Sequence, residues 1–138
     1  MLNGRRFLFK IKHNSNYIYQ VKEIDTTKYN WEVIYTAEER STIDDLVEGK
    51  IIRCFVEDEW LCITKYKSDI YAFKDKCPHA GASLFRSECK EGKVVCPIHR
   101  YGFDLKTGRG HGLYLENYPV ILHEDKYWIG FKKNFLGF

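Results

Sequence analysis

The sequence contains no apolar run close to the ~20 residues that a membrane-spanning helix needs. It also has no internal repeat, no low-complexity tract and no linker that would separate two domains. The net charge of +3 is small and scattered, so it gives no reason to expect a nucleic acid partner. With 138 residues, 44% of them hydrophobic and 16% aromatic, the chain is predicted to form one packed globular domain.

The chain has five cysteines, and nothing in their spacing demands a disulfide. Cys54 and Cys62 lie in apolar, strand-like runs, where we expect them to act as small buried hydrophobic residues. Cys89 lies among lysines and glutamates, and we expect it to be a free thiol on a surface turn. The other two cysteines belong to a pair of motifs described below.

The Arg5-Arg6 pair resembles the start of a twin-arginine export signal. Such a signal continues into an apolar segment, but residues 11–16 are mostly polar. We therefore expect two solvated arginines at the beginning of a strand. The protein is then expected to be cytoplasmic and to lie in a reducing compartment.

Two short stretches contain the candidate functional residues. Residues 77–82, the first loop, are Cys-Pro-His-Ala-Gly-Ala, and residues 96–102, the second loop, are Cys-Pro-Ile-His-Arg-Tyr-Gly. Sixteen residues separate His79 from Cys96. Each loop offers one thiolate and one imidazole, and the four candidate ligands are Cys77, His79, Cys96 and His99. The sequence therefore predicts one metal centre held by two loops.

Two kinds of centre use two thiolates and two imidazoles. One tetrahedral zinc is possible, but zinc fingers usually pair Cys with Cys and His with His. A 2Fe–2S cluster with two cysteines on one iron and two histidines on the other is the alternative. With two irons, each loop can send its Cys to one iron and its His to the other. The mixed spacing favours the cluster.

The two loops resemble the ligand boxes of the Rieske family, C-x-H and C-x-x-H. The resemblance extends over about residues 40–138 and includes the segments STIDDLVEG and FDLKTGRG. It implies one 2Fe–2S cluster per chain, bound by Cys77, His79, Cys96 and His99. It also implies a small β-barrel base that carries the two loops at its tip.

Short, regularly spaced apolar runs between turn signals predict an all-β fold, a small antiparallel barrel or sandwich base. Residues 6–22 predict an additional hairpin, so we expect an N-terminal hairpin extension (1–37) packed on the same domain as the Rieske-like part (38–138). One short helix is expected at residues 42–48. The other predicted strands are 31–36, 51–56, 61–66, 70–73, 93–95, 103–105, 120–122 and 127–131.

The resemblance also suggests a low reduction potential. High-potential members of the family clamp their loops with a disulfide, at positions that are Ala82 and Ile98 here. They also place two hydroxyl groups near the cluster, at positions that are Tyr101 and Phe103 here. Without these hydrogen bonds, we expect a ferredoxin-like potential near ~−150 mV.

The segment 109–118 stands where the family often has a loop that covers the cluster. Gly110 and Gly112 predict a flexible loop, in which Leu113 or Tyr114 could shield the cluster. His111 is a candidate fifth ligand or proton relay. A single loop histidine is more often only solvated, and we expect this for His111.

The resemblance implies a soluble one-electron carrier rather than an enzyme. It would pass electrons from a flavin-containing reductase to an oxygenase or another acceptor. We do not expect the additional catalytic domain of a Rieske oxygenase in this chain, so it would serve such an enzyme only as a separate component. The alternatives are a small redox or regulatory subunit of a larger reductase or oxygenase complex, and a zinc-stabilised interaction module. The oligomeric state cannot be predicted.

Overall fold

The computed structural model describes residues 6–13, 16–35 and 38–134. These residues form fourteen strands, a turn of 3-10 helix at Thr26–Lys28 and one helix, α1, at Ser41–Asp44. None of their helices is long and apolar enough to cross a membrane. The strands are β1 Arg6–His13, β2 Asn16–Glu23, β3 Tyr29–Tyr35, β4 Ile51–Val56, β5 Glu59–Tyr66, β6 Asp69–Lys74, β7 Glu88–Lys90, β8 Lys93–Val95, β9 Gly102–Asp104, β10 Arg109–Gly110, β11 Leu113–Tyr114, β12 Asn117–Tyr118, β13 Val120–His123 and β14 Lys126–Lys132.

The strands form antiparallel ladders, which confirms the predicted all-β class. The sheet orders are β12-β6-β5-β4, β13-β14-β3, β7-β8-β9, β10-β11 and β1-β2. The chain divides into two compact units, one with the described residues up to Asp44 and from Tyr118 onward, the other with residues 45–117. The predicted division into 1–37 and 38–138 stays a prediction.

The N-terminal hairpin that the alternating residues predict is present. Strands β1 and β2 pair from Arg6 with Glu23 to His13 with Asn16. Residues 14 and 15, between the two strands, lie outside the described residues. The two strands form a sheet of their own and are not a further edge strand of another sheet.

In the unit that contains both ends of the chain, β3 pairs with β14. The helix α1 has a single turn and ends at Asp44, four residues before the predicted end at residue 48. The Asp44 carboxylate accepts a hydrogen bond from the Tyr127 hydroxyl at 2.5 Å and forms an ion pair with Arg40 at 2.9 Å. So short a helix is marginal by itself, and these contacts stabilise the turn that forms. The buried apolar residues here include Ile43, Ile121 and Ile129.

The unit of residues 45–117 carries both candidate loops. The first loop follows β6, and the second lies between β8 and β9. Each large apolar side chain buried in this core contributes about 1.5–3 kcal/mol of stability. The core is Cys62, Phe73, Cys77, Leu84, Val94, Cys96, Phe103, Leu105 and Leu115. Both candidate cysteine ligands are therefore part of the core.

Two-residue turns connect the hairpins of this unit. Glu57 and Asp58 have φ angles of 51° and 60°, and Lys67 and Ser68 have 49° and 66°. Positive φ at both central residues is typical of the type I′ turn, which matches the twist of antiparallel strands. The sequence suggested a longer turn at residues 57–60, but β5 begins already at Glu59.

Candidate metal centre

The two loops have the same backbone geometry. In each, the cysteine N–H donates to the carbonyl five residues later, and the cysteine carbonyl accepts from the N–H four residues later. The four bonds are Cys77 N to Ala82 O (2.7 Å), Gly81 N to Cys77 O (2.8 Å), Cys96 N to Tyr101 O (2.9 Å) and Arg100 N to Cys96 O (2.9 Å). The His side chain comes from the third residue of the first loop and the fourth residue of the second.

The residue four positions after each cysteine has a left-handed conformation. Gly81 has φ 76° and Arg100 has φ 58°. Gly81 thus adopts a conformation that is unfavourable for residues with a side chain. In the second loop, a side chain occupies the equivalent position.

We expect Gly81→Ala to destabilise the protein by about 1–2 kcal/mol, because the new Cβ disfavours the left-handed conformation. Arg100→Gly at the equivalent position should not destabilise it in this way. The apparent melting temperature of the isolated holoprotein measures both effects. Equal losses in the two variants would contradict the equivalence of the loops.

The two candidate thiols are buried next to each other. Cys77 and Cys96 are each 2% exposed, and their thiols lie close enough to interact. Burial raises the pKa of Cys77, the backbone N–H of His79 lowers it, and the contact with Cys96 raises it again. Two neighbouring thiolates repel each other, so a cation between them is needed to keep both deprotonated.

The two candidate imidazoles also form a pair, but at the surface. His79 and His99 are both exposed, with ring centroids 4.5 Å apart and planes at 84°. The loops thus bring together all four predicted residues, with the sulfur atoms inside and the imidazole rings outside.

This arrangement separates the ligands into two pairs of one type each. Among the described residues, no three His, Cys, Asp or Glu side chains are placed to hold a single metal ion. A tetrahedral zinc would need all four groups to converge on one point. Two irons need only a sulfur pair and a nitrogen pair, so the residues fit a 2Fe–2S cluster better.

The other three cysteines remain protonated thiols. Burial raises the pKa of Cys54 to about 11 and also raises the pKa of Cys62 and Cys89. Cys62 is buried, as predicted, and Cys54 is half-buried. The prediction of a surface-turn thiol at Cys89 is wrong, because this residue lies in β7 and packs against the core.

The ring of Tyr101 connects the imidazole pair to a third histidine. Tyr101 lies 4.5 Å from His79 and 6.0 Å from His99, measured between ring centroids. On its other side it stacks on His111, at 4.4 Å with planes 12° apart. The His111 Nε2 atom accepts a hydrogen bond from the Gly102 N–H at 3.2 Å. His111 is exposed, as expected for a solvated side chain, but it is also a structural contact of the second loop.

The segment 109–118, predicted to be a flexible loop, contains a tight hairpin instead. Strands β10 and β11 are joined by His111 and Gly112, with φ angles of 54° and 72°, in another type I′ turn. Leu113 is half-buried and packs against the core, whereas Tyr114 is exposed. The hairpin is what places the His111 ring over Tyr101.

A close backbone approach explains the need for Gly110. A Cβ atom at this position would lie 2.1 Å from the carbonyl oxygen of Gly102. At Gly102 itself a Cβ would have ordinary contacts, the nearest at 3.5 Å from Lys93, and its φ is not positive. A close backbone contact therefore requires glycine at position 110 and not at position 102.

We expect Gly110→Ala to destabilise the protein by about 2 kcal/mol or more, because the strand backbones must move apart. Gly102→Ala, the matched control on the facing strand, should cost much less. Thermal unfolding of both variants checks this. A Gly110→Ala protein as stable as the control would contradict the close approach of β10 to β9.

Comparisons with known proteins agree with this geometry. Residues 37–117 match the Rieske [2Fe-2S] domain family. The ferredoxin component of a naphthalene 1,2-dioxygenase system from Pseudomonas putida is 28% identical over 71 residues, which is 51% of this chain and 68% of the relative.

Two solved structures have the same fold. A complex of reduced oxygenase and oxidised ferredoxin in carbazole 1,9a-dioxygenase contains a chain that aligns with a TM-score of 0.61 and 25% identity, over 75% of this chain and 95% of that one. A ferredoxin from Sphingomonas yanoikuyae B1 aligns with a TM-score of 0.62 and 18% identity, over 74% and 99%. The family match covers more than half of the sequence. The chain therefore belongs to the Rieske [2Fe-2S] family and is an electron carrier with one 2Fe–2S cluster.

Proposed function

We propose that Cys77 and Cys96 bind one iron of the cluster and that His79 and His99 bind the other. The observation that supports this most strongly is the pair of buried thiols below a pair of exposed imidazoles. The two loops form this arrangement with the same backbone hydrogen bonds, although the position of the histidine differs by one residue. When bound, the cluster accepts and releases one electron.

The residues around the proposed cluster site have different roles. The core side chains around the cysteines exclude water from the sulfur side. The exposed histidine rings bring the other side to the surface, where a partner can approach. Ile98, 59% exposed between Pro97 and His99, adds an apolar contact beside them. Tyr101 packs against His79 and limits the movement of its ring.

We further propose that the carrier takes electrons from a flavin-containing reductase and delivers them to an oxygenase or another acceptor. The naphthalene 1,2-dioxygenase relative is a ferredoxin component, and the carbazole 1,9a-dioxygenase structure is a complex of ferredoxin with oxygenase. Both support a role as a separate component. The protein then has no catalytic activity of its own and works in the cytoplasm.

The experiment is the purification and reduction of the full chain. We expect a reddish-brown protein with about two irons and two sulfides per chain. Substoichiometric reductase with its reduced nicotinamide should bleach it, and an acceptor should restore the colour. A colourless protein with one zinc, or a cluster that cannot be cycled, would contradict the proposal.

A further inference from the structure

A buried carboxylate closes the first loop. The Asp75 side chain, two residues before Cys77, is 0% exposed. Its Oδ1 atom accepts hydrogen bonds from Ser83 Oγ (2.8 Å), Leu84 N (2.7 Å) and Phe85 N (2.9 Å). Asp75 thus connects the chain just before the first loop to the three residues that follow the loop.

The other oxygen of this carboxylate has a cation beside it. Arg53 Nε lies 2.7 Å from Asp75 Oδ2, and the Arg53 side chain is 35% exposed. The guanidinium lies 4.2 Å from the centroid of the Trp60 ring and 5.7 Å from that of Phe85. Between these rings it has little freedom to leave the carboxylate. The Asp75 N–H also donates to the Trp60 carbonyl at 3.0 Å, which holds the aspartate backbone to the sheet.

Closing a loop with a buried carboxylate costs more free energy than closing it with a neutral group. Neutral acceptors can make the same hydrogen bonds, and burying a charge is costly unless it is paired. The structure retains the charge, supplies its counterion and places both next to a loop that carries one thiol and one imidazole. Charged groups near a cluster-binding loop change the stability of the reduced form of the cluster that the loop would hold.

We propose that Asp75 and Arg53 are positioning residues of the electron carrier. They hold the first loop in its ligand geometry. Because their charges are opposite, their effects on the reduction potential of the cluster largely cancel. This inference rests on the proposed function of the four ligand residues, and it adds two residues that touch no ligand atom.

The two single variants are expected to shift the reduction potential in opposite directions. Reduction adds a negative charge to the cluster. Asp75→Asn removes a neighbouring negative charge and leaves Arg53, so the reduction potential should rise. Arg53→Gln leaves Asp75 without its counterion, so the potential should fall. The double variant should return close to the wild-type value. A loop that is merely loosened gives no reason for shifts of opposite sign.

The experiment is a redox titration of the four holoproteins, followed by EPR, with the rate of cluster loss to an iron chelator as a second measurement. We expect the opposite shifts and roughly tenfold faster cluster loss in both single variants. Asp104→Asn is the matched control. Its Oδ1 atom caps a turn through Lys106 N (2.8 Å) and Thr107 N (2.9 Å) and holds neither loop. It should change the loss rate less than twofold.

Shifts of the same sign, or no shifts, in the single variants would overturn the inference. If Asp75→Asn does not fold, Arg53→Gln decides alone, because a fall in potential supports the pair and an unchanged potential contradicts it. A wild-type protein without a cluster would instead overturn the proposed function on which the inference rests.

Discussion

Cys77→Ser is expected to abolish cluster binding, with iron falling from about two atoms per chain to near zero. A serine hydroxyl is a hard ligand that is not deprotonated at neutral pH, so it cannot replace a thiolate that would bind the iron. The site is also almost inaccessible, since Cys77 is 2% exposed, and the other cysteine of the two loops, Cys96, is itself a candidate ligand. Iron analysis and the visible absorption spectrum measure the loss.

Cys89→Ser is the matched control. Cys89 is a half-buried thiol in the same unit, with a raised pKa due to burial, and it lies outside both loops. We expect the full iron content to remain. Retention of the cluster in Cys77→Ser, or its loss in Cys89→Ser with the fold intact by circular dichroism, would contradict the assignment of the ligands.

His99→Ala is expected to remove the Rieske spectrum, either by loss of the cluster or by exposure of one iron to a different ligand. The imidazole pair contains His79 and His99, and neither can take the place of the other because each comes from its own loop. EPR of the reduced protein measures the result, since a signal that averages below the free-electron g value depends on both histidines.

The variant His111→Ala tests whether His111 is a ligand or only a neighbour of the ligands. The three histidines lie in one group of rings, but His111 contacts Tyr101 and the Gly102 N–H rather than the imidazole pair. This variant should keep its iron and its EPR signal, with a lower melting temperature from the lost stacking. A Rieske signal that survives in His99→Ala but disappears in His111→Ala would mean that the assignment is wrong.

Much of the fold and the site could be predicted because the signals are local. The strands at 51–56 and 93–95 were predicted at their observed bounds, since apolar residues there are bounded by turn residues. The four candidate residues were found by their spacing alone. Whether they bind iron stays a prediction, although the structure brings all four together.

The remaining features depend on contacts between distant residues. Turns such as Glu57-Asp58 lack the Asn-Gly or Asp-Gly signal of a type I′ turn, so the turn predicted between the two strands is two residues too long. Gly110 and Gly112 suggested flexibility, but the approach of β10 to Gly102 needs a glycine for a steric reason. The role of Asp75 depends on Arg53, which lies on another strand, and no local pattern joins the two.

The central claim is that the two thiolates bind one iron and the two imidazoles the other. Pulsed EPR of the reduced protein, produced with ¹⁵N-labelled histidine, tests it most directly. We predict two strongly coupled histidine nitrogens, reduced to one or none in His79→Ala and unchanged in His111→Ala. A reduced cluster with no coupled histidine nitrogen, or a protein with a single EPR-silent metal ion, would contradict the claim.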